Sequence, residues 1–299
     1  MRITNKMMVD NFMKNFQSNL QKLDKTQNQM ASGKRIRFPS DDPIGAAKSL
    51  RLRSDLQHLD QYKKNIDDGL SFLETTESAL NNIGDILARI RELAIYSVND
   101  ILTLEDKQKI KSEIVELRNQ IVQEANSSYS GKYVFAGYQT DKPPYEIMST
   151  MFGDVINYTG DNGKMEYEYS PQNTIQINFT GPDVFNTPLD LFVVLRNLED
   201  DLDAGNTSDI TNLRLGEIDQ CMANIIKVRA ELGVKVNRLE AAKTRIEEDI
   251  VNFTEILSKT EDVDMAEIIM NLKMQENVYT ASLATGARII QPSLLDFLK

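Results

Sequence analysis

Apolar residues recur along this chain at alternating spacings of four and three, the signature of helices that bury one narrow stripe against another helix. The first stripe runs Val9, Met13, Phe16, Leu20, Leu23, Gln27, Met30, with only Gln27 polar. It stops at Ser32-Gly33, and glycine is the usual residue just past a helix end because it adopts positive φ cheaply. A second stripe opens after Asp42-Pro43, a good N-cap followed by the residue favoured at the first helical position. It reads Leu52, Leu56, Leu59, Lys63, Ile66, Leu70, Leu73, Glu77, Leu80, Gly84, Leu87 and fades near Val98. About 55 helical residues at ~1.5 Å each span ~80 Å, too long for a helix to fold around itself, so partner helices are required.

A third helix is predicted from an N-cap at Thr103 to Gly131, with Ile110, Ile114, Leu117 and Ile121 as its buried stripe. The texture then changes. Residues 132–187 hold six of the ten tyrosines and four of the eleven phenylalanines, with alternation in Met165–Tyr169 and Thr174–Phe179. Pro143-Pro144, Asp161-Asn162-Gly163 and Gly181-Pro182 punctuate them as turns, so strands are expected here. Helical patterning returns in "PLDLFVVLRNLEDDLDAG", closed by Gly205. The cleanest stripe follows: Ile218, Met222, Ile225, Arg229, Leu232, Val236, Leu239, Lys243, Ile246, Ile250, Phe253, Leu257. After Glu261-Asp262 a last one reads Met265, Ile269, Leu272, Glu276, Tyr279, Leu283, Gly286, Ile290, ending at Pro292.

The predicted fold is mainly α: an elongated antiparallel helical rod with a coiled coil formed by both ends of the chain, and a small β-rich insert domain. The expected divisions are 1–42, a terminal coiled-coil segment plus linker; 43–131, the first part of the rod; 132–205, an outward insert; 206–261, the second part of the rod; and 262–299, the other terminal segment.

Charge narrows the partners. The formal net charge is −11, which argues against nucleic acid, since phosphate binding needs a basic surface. The distribution is uneven: residues 1–40 carry +6 and the remainder −17. No apolar run reaches 18 residues, so no membrane insertion is expected. The start "MRITNKMMVDNF" lacks the apolar core and cleavage site of a secretory signal. A basic helix near that end could lie on an anionic membrane, but its stripe is narrow and heptad-like, which favours pairing with a helix.

Candidate chemistry is sparse. One cysteine, Cys221, and one histidine, His58, leave few soft metal ligands and no disulfide. No metal, cofactor or catalytic set is expected. "SGKRIRFPSDDPIGAA" (32–47) holds Gly-Lys and paired aspartates, which could suggest a phosphate loop or an acid pair. A phosphate loop follows a strand and carries more glycines. Here a long helix precedes it, so Gly33, Asp42 and Pro43 read as helix caps around a linker. The two terminal stripes are each 25–30 residues long, marginal as isolated helices and insufficient to cover each other. Phe16, Leu20, Leu23, Leu272, Tyr279, Leu283 and Ile290 are therefore the expected assembly interface.

"QMASGKRIRFPSDDPIGAAKSL" (29–50) and "MNLKMQENVYTASLATGARIIQPSLLDFLK" (270–299) resemble the two ends of the flagellin superfamily. The resemblance covers about 130 residues at one end and about 90 at the other, with little in 132–205. "MRIT", Pro39 in the linker and "QPSLLDFL" resemble the family's hook–filament junction branch more than filament flagellin. The resemblance implies a non-enzymatic structural subunit of the bacterial flagellum, extracellular after unfolded export through the flagellar type III apparatus. It implies terminal helices packed as a coiled coil, and a ring of identical subunits between another hook-associated protein and flagellin. It also implies a cytosolic flagellar export chaperone on the C-terminal segment. A filament subunit is the alternative within the family; a membrane-associated coiled-coil adaptor and a phosphate-using enzyme are alternatives outside it.

Overall fold

A computed structural model describes residues 5–99, 103–150 and 153–290. The chain divides into two units, one holding residues 1–58 and 249–299, the other 59–248. In order, the elements are α1 (Asn5–Ser32), α2 (Pro43–Ser97), α3 (Leu104–Ala125), β1 (Ser128–Tyr129), β2 (Lys132–Tyr133), β3 (Tyr145–Thr150) and β4 (Gly153–Tyr158). There follow β5 (Glu166–Ser170), β6 (Asn173–Gln176), α4 (Gly181–Phe185), α5 (Leu191–Ala204), the single turn α6 (Thr207–Asp209), a π-turn at Ile210–Arg214, α7 (Leu215–Glu261) and α8 (Met265–Ile290).

In the 59–248 unit, α2 and α7 pair antiparallel. Their cross-helix ion pairs set the register: Arg91–Asp219 at 2.6 Å, Glu77–Arg229 at 2.8 Å, Asp67–Lys243 at 2.8 Å and Lys63–Glu247 at 2.8 Å. The polar interruptions of both stripes, Lys63, Glu77, Arg229 and Lys243, are these pairs. Beneath them Ile218, Ile225, Leu232, Leu239 and Ile246, seven apart, are buried with Ile66, Leu73, Leu80 and Leu87. The face of α2 is wider than one stripe because other elements pack on it too: Phe72, Ala79, Ile83 and Ile90 are also buried, and Phe72 meets Tyr129 edge-on at 6.3 Å. Arg118 of α3 reaches Glu199 of α5 at 3.3 Å, both buried.

Two expectations change. Helix α3 starts at the Thr103 cap, whose hydroxyl accepts from Asp106 N, but it ends at Ala125, not Gly131. Gly131 (φ +80°) and Ser130 (φ +50°) instead form the two-residue turn of the β1–β2 hairpin, which requires positive φ at both positions. The β segment comprises three separate antiparallel pairs, β1–β2, β3–β4 and β5–β6. They share a core with the helices instead of enclosing their own. Tyr145 packs against Phe185 and Phe192 at 5.4 and 5.1 Å, and Lys235 of α7 lies over the Phe179 ring at 4.1 Å. Ile177 lies over Gly69 of α2 close to Leu239, at a point where a glycine Cβ would just touch it.

The residues after β5 are thus structural, and wholesale replacement of 138–187 by a linker is expected to unfold this unit. Ile177→Ala should cost about 2–5 kcal/mol, the range for emptying a buried isoleucine site. Ile147→Ala, at an exposed position of β3, should cost less than about 0.5 kcal/mol. Denaturant unfolding of both variants checks this; equal, small losses would mean that the residues after β5 do not contribute to the core.

Candidate functional site

In the unit of residues 1–58 and 249–299, α1 and α8 form an antiparallel hairpin. Phe12 lies on Gly286 so closely that a Cβ there would come within 2.4 Å of its ring. Phe16 stacks on Tyr279 at 5.6 Å and on Phe12 at 6.0 Å, and Asn19 reaches the Ser282 hydroxyl at 3.5 Å. The half-buried stripe of α1 therefore runs Val9, Phe12, Phe16, Asn19, Leu23, Thr26 and Met30, with Asn28 and Gln29 also half-buried near its end. The expected stripe shares Val9, Phe16, Leu23 and Met30 with this one. It differs at the intervening positions, where Met13, Leu20 and Gln27 are exposed. The cause is steric: glycine at 286 opens a slot that admits Phe12, and this rotates α1 slightly about its axis.

The same shift occurs on α8. Ile268, Leu272 and Gly286 are buried and Tyr279 is half-buried, while Met265, Ile269 and Leu283 face solvent. Of the expected interface residues, the hairpin brings Phe16 and Tyr279 together and buries Leu272. It half-buries Leu23, and leaves Leu20 at 45% and Leu283 at 47% exposure. The side chain of Ile290 lies outside the described residues. No described residue of α1 is fully buried.

The joint below the hairpin is tightly specified. Gly33 ends α1 at φ +67°. Val263 N donates to Gly33 O at 3.1 Å and Arg35 N to Glu261 O at 2.6 Å, with a bridge between Lys34 and Asp262. The Glu261 side chain, 7% exposed, accepts from Lys34 Nζ at 2.7 Å and from Arg53 Nη2 at 2.8 and 2.7 Å. Asp42 caps α2, accepting from Gly45 N at 2.9 Å, and Pro43 is the first helical residue. Asp41 instead accepts from Phe38 N at 3.2 Å and pairs with Lys25 at 2.9 Å, which holds its carboxyl below the usual range. The Asp41-Asp42 pair thus serves two different turns. Glu261 does not stand out in the sequence; the only signal for it is the acidic break between the last two stripes.

The other candidates lie apart. His58 is exposed on α2. Cys221 is buried in the other unit, and burial pushes its thiol up to about 11. Among the described residues no group of three or more His, Cys, Asp or Glu could hold a metal, and no helix is long and apolar enough to cross a membrane.

Residues 3–140 match the family of bacterial flagellin N-terminal helical regions, and residues 215–298 match that of bacterial flagellin C-terminal helical regions. Flagellar hook-associated protein 3 of Salmonella typhimurium is 25% identical, over 95% of this chain and 96% of that protein. A flagellin of Bacillus subtilis is 29% identical over 97% of each. Among solved structures, a putative flagellar hook-associated protein from Vibrio parahaemolyticus matches with TM-score 0.68 and 21% identity, over 74% of this chain and all of that one. The flagellar junction protein FlgL from Legionella pneumophila matches with TM-score 0.59 and 17% identity, over 73% and 100%.

Glu261→Gln should loosen the joint. Lys34 and Arg53 keep 40% and 46% side-chain exposure, so solvent screens part of the loss, and a cost of about 1–2 kcal/mol is expected. Faster amide exchange at Arg35 and Val263 would report it; unchanged exchange at both would show that the carboxylate does not hold the linkers. Cys221 should resist alkylation in the native chain at pH 8, well below its raised pKa, and react once the chain is denatured. Rapid labelling of the folded protein would contradict its placement.

Proposed function

The chain belongs to the bacterial flagellin family, whose two terminal helical regions together match roughly three quarters of it, and on that basis we propose that it is the structural junction between hook and filament of the bacterial flagellum. The observation that carries this reading is the near-full-length match to hook-associated protein 3. The relatives are structural flagellar proteins, and the work assigned to this chain is geometric: repeated helix packing that joins two different helical assemblies. It would be exported through the flagellar type III apparatus without a cleaved signal, with an export chaperone holding its C-terminal segment beforehand. A ring of copies would then sit between another hook-associated protein and flagellin.

The hairpin supplies a physical basis. Phe16, Leu23, Leu272 and Tyr279 hold α1 to α8 within one chain. Leu20 and Leu283 form an outer stripe offered to neighbouring copies, because exposed apolar residues on a paired helix are costly to leave in water. The full-length match to a flagellin favours a second reading, a filament subunit. Purified chain that polymerises alone into long filaments would establish the second reading; a junction protein should not.

Leu283→Asp is expected to change unfolding of the 59–248 unit by less than about 0.5 kcal/mol, since the site is half exposed in the single chain. In the assembled state an unpartnered charge would be buried at several kcal/mol, so incorporation at hook tips should fall about a hundredfold or more and filament subunits should leak into the medium. Thr285→Asp, at an exposed site, should be much milder. Normal incorporation of Leu283→Asp would contradict the outer-stripe role.

A further inference from the structure

Below the hairpin, the linker and the first turns of α2 enclose a pocket of about 110 Å³. Ile36 forms its buried wall, and Phe38 and Leu50 stand at its rim 56% and 64% exposed, with Pro39 beside them. Ser49 also lines it; its side chain is buried, and no described group hydrogen-bonds its hydroxyl. Arg37 lies over the Phe38 ring at 5.2 Å and donates to the Asn28 side chain at 3.1 Å instead of to a carboxylate. Arg53 and Glu261 also line the pocket, and Glu261 is paired with both Arg53 and Lys34, so the net charge around the pocket is positive. The pocket is several times the space one water needs, and it suits one unbranched side chain. An aromatic rim favours a thioether, because sulfur–aromatic contacts are attractive and methionine adapts to irregular gaps.

We propose that this pocket is the receiving half of a contact between copies of the chain, and that it takes the Met270 side chain of a second copy. Met270, at 66%, is the most exposed methionine among the described residues. It follows Asp264 and Glu267 at the start of α8, which complements the cationic rim; Lys273 is the one cation close to it in sequence. Exposed Met7 and Met8 lie next to Lys6 and would bring like charge to the same rim. Pocket and methionine are different surfaces, so the contact is head-to-tail, the kind that generates rings or helical arrays. The inference rests on the assembly proposed above and names one contact within it.

The test uses full-length chains in a Cys221→Ser background, one carrying Leu50→Cys and the other Met270→Cys, with tags of different size, co-expressed and mildly oxidised on isolated hooks. Disulfide-linked pairs of unlike size should exceed like-size pairs at least several-fold. Chains that enter the hook tip without forming the unlike pair overturn this contact and leave the junction reading intact. Absence of the unsubstituted chain from hook tips overturns both. A thiol-free series reads the same contact should a cysteine chain fail to enter. Met270→Leu should incorporate nearly normally and Met270→Lys, which brings like charge to the cationic rim, about tenfold less, with equal thermal unfolding of the free chains. Equal incorporation of the two would overturn the proposal.

Discussion

Two antiparallel long helices must find one register, and the rest of the 59–248 unit depends on it. An apolar stripe alone does not fix register, because a one-turn slip still sets apolar residues against apolar residues. The polar positions do. Lys63 faces Glu247 and Asp67 faces Lys243. A four-residue slip in one direction would set Lys63 against Lys243, and in the other Asp67 against Glu247. These pairs are largely solvated and each adds little stability. Their effect is to penalise these one-turn slips.

Burial then differs between units. The 59–248 unit has fully buried residues along α2 and α7, together with α3, α5 and the residues after β5. The α1–α8 hairpin closes only one side of each helix, and Phe12 on Gly286 sets which side. That choice leaves Met13, Leu20, Ile269 and Leu283 in solvent on a second side. Glu261, Lys34 and Arg53 fix the joint from which the hairpin leaves, so the outer side is presented from a defined base.

Much of this was legible in the sequence. The seven-residue series 218–246 and 66–87, the caps at Gly33, Asp42, Thr103 and Gly205, and the strand character of 165–179 follow from periodicity and turn chemistry. The phase of the terminal stripes was not, since Phe12 and Met13 are both apolar and only the glycine opposite decides between them. The breadth of the α2 face was also hidden, because burial of Phe72 and Ile83 comes from elements distant in sequence. The charged partners of Glu261 and of Arg118 lie 208 and 81 residues away, a separation that no local pattern encodes.

The hairpin of one chain is thus an incomplete core, finished in this reading by neighbouring copies. Amide hydrogen exchange across α1 and α8 decides the matter, comparing the free full-length chain with the same chain assembled at the hook tip. Rapid exchange of residues 5–32 and 265–290 is expected in the free chain, beside slow exchange of α2 and α7 within 59–248. On assembly both terminal helices should become strongly protected. Full protection of the hairpin in a proven monomer, or unchanged exchange after assembly, would contradict the incomplete core.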